Sequence, residues 1–292
     1  MGIVNLTDNS YFAESRCLGT DGNPDIDKIT ERIGRMIAEG ATIIDIGACS
    51  TRPGSEPVGE AEEWRRISAV LPHIRKAFPD VTVSIDTYWS SVVRKAFDLI
   101  GNFIVNDISA GEDDPQMLST AGSLGLTYIA MHKRGTPATM QNLCDYRDVS
   151  SEVLEYFRDF GRKAEQAGIK DWILDPGFGF AKTVEQNYEL MANLENFTAL
   201  GHRILVGVSR KSMIYRKFGI TPEEALPQTQ VLHFAALQKG ADILRVHDVA
   251  EAARTVAVFQ ALTSGSSGST AAGSVLNFTE SVPIFAVPVT HL

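Results

Sequence analysis

The sequence predicts an α/β fold, a closed (β/α)8 barrel of parallel strands, on three observations. Eight short apolar runs each end in polar or charged residues, and they recur at intervals of about 20 to 45 residues. Amphipathic helical stretches lie between them, and eight β-then-α units are what such a barrel requires. The length of 292 residues suits one large domain, since a barrel of this kind needs ~250 residues.

The elements follow in order. Ile3-Val4-Asn5 is the first strand, and Ile26, Ile29, Ile33, Met36 and Ile37 place a helix between Asp25 and Glu39. Ile43-Ile44-Asp45 is the second strand, followed by a helix from Glu60 to Phe78 that presents Trp64, Ile67, Leu71 and Ile74 at helical spacing. Val83 to Asp86, a helix from Ser90 to Ile100, and Phe103 to Asp107 come next, with room for a short helix within 114–125. Tyr128 to His132 precedes a helix from Ser150 to Ala167, and Trp172 to Asp175 precedes one from Glu185 to Leu194. Leu205 to Arg210, a helix from Pro222 to Lys239, Ile243 to His247, and a helix from Val249 to Leu262 complete the set. Gly40, Gly168, Gly201 and Gly240 follow four of these helices, where a left-handed cap favours glycine. The strands are nearly continuous apolar runs, as parallel strands covered by helices should be.

Composition narrows the function. A net charge of -9 gives no basic face for nucleic acid. No apolar run approaches the ~20 residues that span a bilayer, and no signal segment opens the chain, so the cytoplasm is the simplest address. Three cysteines at irregular spacing give no disulfide framework, and no His/Cys/Asp cluster has zinc spacing.

In such a barrel the active site is built where the strands end. Asp86, Asn106 and Asp175 close the third, fourth and sixth strands and can converge over the mouth. Two carboxylates and an amide form an acceptor edge for a ligand with several N–H donors, such as a 2-amino-pyrimidinone ring; taken singly, each could equally cap a loop. Donors cluster too: Arg52 after the second strand, Ser209-Arg210-Lys211-Ser212 after the seventh, and Arg245 and His247 at the end of the eighth. Arginine forks and hydroxyls there suit an anion, although Arg210 alone reads equally as solvated surface charge. In Asp175-Pro176-Gly177-Phe178-Gly179-Phe180 the glycines let backbone approach a ligand. Phe178 reads as a buried core residue, while Lys211 could bridge a flat ligand and an anion. Met131-His132 ends the fifth strand, and its lone histidine reads as packing rather than as a metal ligand. Cys17, Cys49 and Cys144 carry no evident chemistry.

The strings MGIVNLTDNSYF, DIGACSTRPGS, SIDT, VNDIS, MHKRGTPATMQ, DPGFGFAKT, GVSRKSMI and ILRVHDV resemble, in order, the motifs of the dihydropteroate synthases, folate-pathway enzymes targeted by sulfonamides. The resemblance covers residues 1 to about 262. It implies that Asp86, Asn106, Met131, Asp175 and Lys211 hold a pterin, that Asn5 serves Mg²⁺ and pyrophosphate, and that Arg245 and His247 bind the anion together with Arg52. It places Thr51, Arg52, Pro53, Phe180, Lys211 and Ser212 around p-aminobenzoate and the pyrophosphate, and gives Asp86, Asp175, Lys211, Arg245 and His247 catalytic roles. The implied reaction joins 7,8-dihydropterin-6-ylmethyl pyrophosphate to p-aminobenzoate by a dissociative path, in a homodimer inhibited by sulfonamides. A pterin-dependent methyltransferase barrel and a catalytically silent pterin-binding paralogue or scaffold are the competing readings. Two departures stand out: Asp8-Asn9 where many members have Pro-Asp, and Ala181 where glycine is common.

The domain organisation read from the chain is a barrel over 1–262, a Gly/Ser-rich linker over 263–274 and a β-hairpin over 275–292. Family members carry an N-terminal hairpin that caps the N-terminal face of the barrel, and the tail resembles it. The order is that of a circular permutant in which Leu292 would run into Met1, or else the tail is an appended tag.

Overall fold

The computed structural model describes residues 1–7, 18, 22–48, 58–136 and 139–265. Eight parallel strands lie in chain order: β1 (Gly2–Asn5), β2 (Ile43–Gly47), β3 (Thr82–Asp86), β4 (Ile104–Asp107), β5 (Thr127–Met131), β6 (Trp172–Asp175), β7 (Arg203–Val206) and β8 (Ile243–Leu244). The first and last strands meet through a parallel bridge between Gly2 and Val246. There the Ile3 N–H donates to the Val246 carbonyl at 3.1 Å and the Val246 N–H to the Met1 carbonyl at 2.9 Å, which closes the barrel.

Strand side chains alternate in direction, so one set faces the axis and the other faces the helices. At the foot of the barrel Met1, Ile43, Ile104, Ile129, Ile173, Leu205 and Ile243 pack as one cluster. The outward set, including Ile44, Ile85, Val105, Tyr128, Leu174 and Val206, packs against the helices. Two residues further along the same inward rows come Asp45, Asn106, Met131, Asp175 and Arg245, with Ser84 and Asp86 on β3. An apolar floor thus ends where a polar layer begins, at the C-terminal ends of the strands.

The helices are α1 (Ile26–Ala38), α2 (Glu60–Ala77), α3 (Ser90–Ile100), α4 (Met117–Leu124), α5 (Val149–Ala167), α6 (Val184–Ala192), α7 (Ser212–Phe218), α8 (Leu226–Gln238) and α9 (Val249–Gly265). Asp25 caps α1 by accepting from the Lys28 N–H, and Thr183 and Gln186 form a reciprocal capping box on α6. Three differences from the sequence reading have local causes. The segment after β7 is not a loop but α7, which opens after Lys211 and stops at Gly219 in a left-handed turn. Helix α8 starts at Leu226 rather than Pro222, because Thr221 and Glu224 exchange hydrogen bonds in a turn ahead of it. Helix α9 continues to Gly265, beyond Leu262, with the Thr263 hydroxyl bonded back to the Phe259 and Gln260 carbonyls. The remainder of the Gly/Ser stretch and the hairpin over 275–292 lie outside the described residues. Among the described residues no helix is long and apolar enough to cross a membrane.

Candidate active site at the strand ends

Strand register brings the expected acceptors together. Asp86 on β3 is the partner of Asn106 on β4, and Met131 on β5 is the partner of Asp175 on β6. One layer below them lies Asp45, fully buried. Its carboxylate accepts from the Ser84 hydroxyl at 2.6 Å, through both of its oxygens from the Asn106 amide nitrogen at 3.2 Å, and from Arg245 Nε at 2.7 Å. Arg245 Nη2 reaches Asp86 at 2.8 Å. Because the Asn106 NH₂ is turned down onto Asp45, its carbonyl oxygen is the group left to accept from a ligand above. Arg245 therefore belongs to the acceptor cluster, with Nε and Nη2 engaged by carboxylates.

The sequence reading did not include Asp45 among the site residues. The signal was present: an aspartate between Ile44 and Ile46, on the same inward row as Ile43. A charge there must be paired or shift its ionisation.

Burial dominates the electrostatics. It raises the Asp86 carboxyl to about 7, with Arg245 opposing and Asp45, Asp107 and Asp175 adding to the rise. Asp175 is likewise raised by burial, opposed by Lys211 and by the Gly177 N–H, which donates to it at 2.8 Å. Burial lowers the Lys211 ammonium to about 8 against the pull of Asp175. For Arg245 burial disfavours the charge, yet Asp45 and Asp86 outweigh it and hold the guanidinium firmly protonated. Three carboxyl groups face two cations and burial resists their full ionisation, so a ligand that brings N–H donors or developing positive charge favours their ionised forms.

The loop after β6 supplies the rest. Lys211 Nζ donates to the Phe178 carbonyl at 2.6 Å and lies 4.9 Å from the centre of the Phe180 ring. Phe178 itself is fully buried, as its sequence context suggested. Gly177, at φ +70°, has no room for a Cβ, which would fall 1.9 Å from the His132 carbonyl oxygen. Gly207 lies between Arg245 and Lys211, each 3.9 Å from where a Cβ would sit. Lys182, absent from the sequence reading of the site, is buried beneath this loop.

The remaining expected residues fall as follows. Asn5 ends β1, partly buried, in register with Gly47. His247 is partly buried, and its N–H donates to the Ser209 hydroxyl at 3.3 Å. Ser212 opens α7 beside Lys211. His132 packs edge-on against Tyr156 at 4.8 Å, in keeping with a packing role. Arg210 is tied to Asp248 at 2.8 Å and to the Pro222 and Glu223 carbonyls, a clamp on its own loop. Thr51, Arg52 and Pro53, like Asp8, Asn9, Cys17 and Cys49, lie outside the described residues. Among the described residues no group of three or more His, Cys, Asp or Glu side chains could hold a metal ion.

Residues 1–247 match the pterin binding enzyme family. Dihydropteroate synthase from Escherichia coli is 40% identical over 263 residues, covering 89% of this chain and 90% of that protein. The chain belongs to the dihydropteroate synthase family. Two solved dihydropteroate synthase structures agree. The Yersinia pestis enzyme in complex with a sulfonamide drug superposes with a TM-score of 0.83 at 34% identity, covering 91% of this chain and 93% of that one. The Thermus thermophilus enzyme in complex with 4-aminobenzoate gives 0.78 at 37% identity, covering 90% and 93%. One departure from the dihydropteroate synthase pattern now has a geometry: Ala181 sits at φ +48°, in the left-handed region that glycine tolerates best.

Proposed function

We propose that this dihydropteroate synthase condenses 7,8-dihydropterin-6-ylmethyl pyrophosphate with p-aminobenzoate at the mouth of the barrel. The observation that carries the reading is the convergence of Asp86, Asn106 and Asp175 above Asp45 and Arg245, with Lys211 beside Asp175. Asp86, Asp175 and the Asn106 carbonyl accept the pterin N–H groups, and Met131 supplies an apolar wall. Lys211 and Phe180 border the arylamine with Ser212, and the family resemblance adds Thr51, Arg52 and Pro53 to that half of the site. Relatives solved with 4-aminobenzoate and with a sulfonamide drug support that half of the site, and sulfonamides are expected to compete there.

The methylene C–O bond to pyrophosphate breaks first, leaving a delocalised pterin-methylene cation. The excess carboxylate charge of the cluster favours that cation. The arylamine nitrogen then forms the new C–N bond and loses one proton to solvent. It is neutral at pH 7, so positioning rather than a strong base supplies the acceleration. His247 borders the leaving pyrophosphate, and the family resemblance adds Arg52 as a ligand for it.

Asn5 offers one neutral oxygen at the strand end, and a Mg²⁺ ion needs few protein ligands when phosphates and water supply the others. The residues present therefore fit Mg²⁺ carried in with the pyrophosphate and touching Asn5. Bound there, the ion would neutralise charge on the leaving group. Val231 on α8 with Val258 and Leu262 on α9 are exposed, and Phe234 and Phe259 pack between these helices at 6.1 Å, a face suited to a homodimer. The cytoplasm remains the expected compartment. Incubating the chain with both substrates and Mg²⁺ should give dihydropteroate and pyrophosphate in equal amounts. Pterin binding without product would favour the silent paralogue instead.

A further inference from the structure

Lys182 follows the Phe180-Ala181 step in the loop after β6 and is only 4% exposed. Its Nζ lies 3.0 Å from each of three acceptors: the Gly177 carbonyl, the Phe180 carbonyl and His132 Nδ1. Burial lowers the Lys182 ammonium to about 7 against the pull of Asp175; in its charged form it has three N–H donors and no acceptor, so the three partners match it in number. The first two are the ends of one turn, in which the Phe180 N–H also donates to the Gly177 carbonyl at 3.1 Å. The third stands at the end of β5, directly after Met131. Lys182 thus ties both ends of the turn to the neighbouring strand from below.

We propose that Lys182 is a positioning residue for the arylamine half of the site, acting through the Gly177–Phe180 turn. The inference rests on the reading of that half given above. The turn sets the Phe178 carbonyl against Lys211 Nζ at 2.6 Å and the Phe180 ring 4.9 Å from it. Asp175 is held by the pairing of β6 with β5, in which the His132 N–H donates to its carbonyl at 3.0 Å, with the Gly177 N–H of the turn as one further donor to its carboxylate. Loss of the ammonium should therefore release the Phe178 carbonyl and the Phe180 ring while leaving the pterin acceptor in place. The left-handed backbone at Ala181 points the same way, since a residue with a Cβ rests there only when its surroundings hold it. Burial first, then Lys182 and Arg134, keep His132 neutral, and in the tautomer protonated on Nε2 its Nδ1 is the third acceptor.

The test uses the full chain carrying Lys182→Met, which keeps the apolar stem and removes the donors. The expected result is a KM for p-aminobenzoate raised at least about tenfold, the scale of one lost charge-assisted hydrogen bond. The dissociation constant for dihydropterin pyrophosphate, titrated without the arylamine, should stay within about threefold. Unchanged constants, or equal rises in both, would overturn the inference while leaving the synthase reading intact. If that variant fails to fold, His132→Phe keeps the ring against Tyr156 and removes one acceptor. It should raise the p-aminobenzoate KM by about threefold, and an unchanged KM would count against the inference. A wild-type chain that makes no dihydropteroate would remove both readings, and that outcome is distinguished because it precedes any variant.

Discussion

Arg245 and Asp45, separated by 200 positions in the chain, meet at the centre of the barrel mouth, with Nε 2.7 Å and Nη2 2.6 Å from one carboxylate oxygen. The same Nη2 is 2.8 Å from Asp86, so one guanidinium spaces two carboxylates that would otherwise repel. Asp45 also fixes the Asn106 amide. A residue below the ligand thus sets the direction of groups that touch it.

Replacing Asp45 with Asn should uncouple that arrangement. Breaking one partner of a buried ion pair costs about 3–5 kcal/mol, and Asn106 loses the charge that orients it. Urea unfolding should show a loss on the order of 3 kcal/mol, and kcat/KM for the pterin substrate should fall at least about tenfold. A variant within about 0.5 kcal/mol of wild type, with unchanged kinetics, would show that Asp45 organises nothing.

Glu63 gives a pH test beside the site. It is fully buried on α2, and its one hydrogen bond among the described residues is accepted from the Thr87 hydroxyl, next to Asp86. Burial raises its carboxyl from 4.5 to about 8. Between those values the folded state holds a proton that the unfolded state has lost, so stability falls as pH rises through this window. Glu63→Gln removes the titration. The stability of wild type relative to the variant should decline from about pH 5 to pH 8, by at most about 1.4 kcal/mol per unit. A pH-independent difference in thermal midpoints would contradict a protonated Glu63.

Ala181→Gly tests the strain at the one family departure whose geometry is described. A non-glycine residue in the left-handed region carries on the order of 1 kcal/mol of strain, whereas glycine adds ~0.4–1 kcal/mol of unfolded-state entropy. The unfolding midpoint should therefore hold steady or rise slightly. A clear fall would mean that the alanine methyl packs favourably enough to outweigh its backbone.

Much of this was readable in the chain, for definable reasons. Parallel strands are apolar on both faces and stop at polar residues, so their ends marked Asp86, Asn106 and Asp175 directly. Helix α3 matched its expected bounds because amphipathic spacing needs no tertiary information. Helix α7 stayed hidden because seven residues make too short a window for periodicity. Asp45 ends the second apolar run in the sequence, but β2 continues to Gly47, so it points inward one layer below the ligand-facing row, where spacing gave it no role. The role of Lys182 depends on the chain turning back over it, which spacing alone cannot reveal. Arg210 attracted attention through its neighbours in the sequence, yet its fork is spent on Asp248 and two carbonyls.

Asp175→Asn tests the central claim most directly, with pterin titration and turnover measured on one preparation. Asp175 is buried at the end of β6 and faces the mouth beside Lys211. If it accepts the pterin N–H groups and favours the cationic methylene, affinity for dihydropterin pyrophosphate and kcat/KM should fall together, each by about 10- to 100-fold. The thermal midpoint should change little. Wild-type affinity and turnover in a folded Asp175→Asn protein would contradict the account of the site.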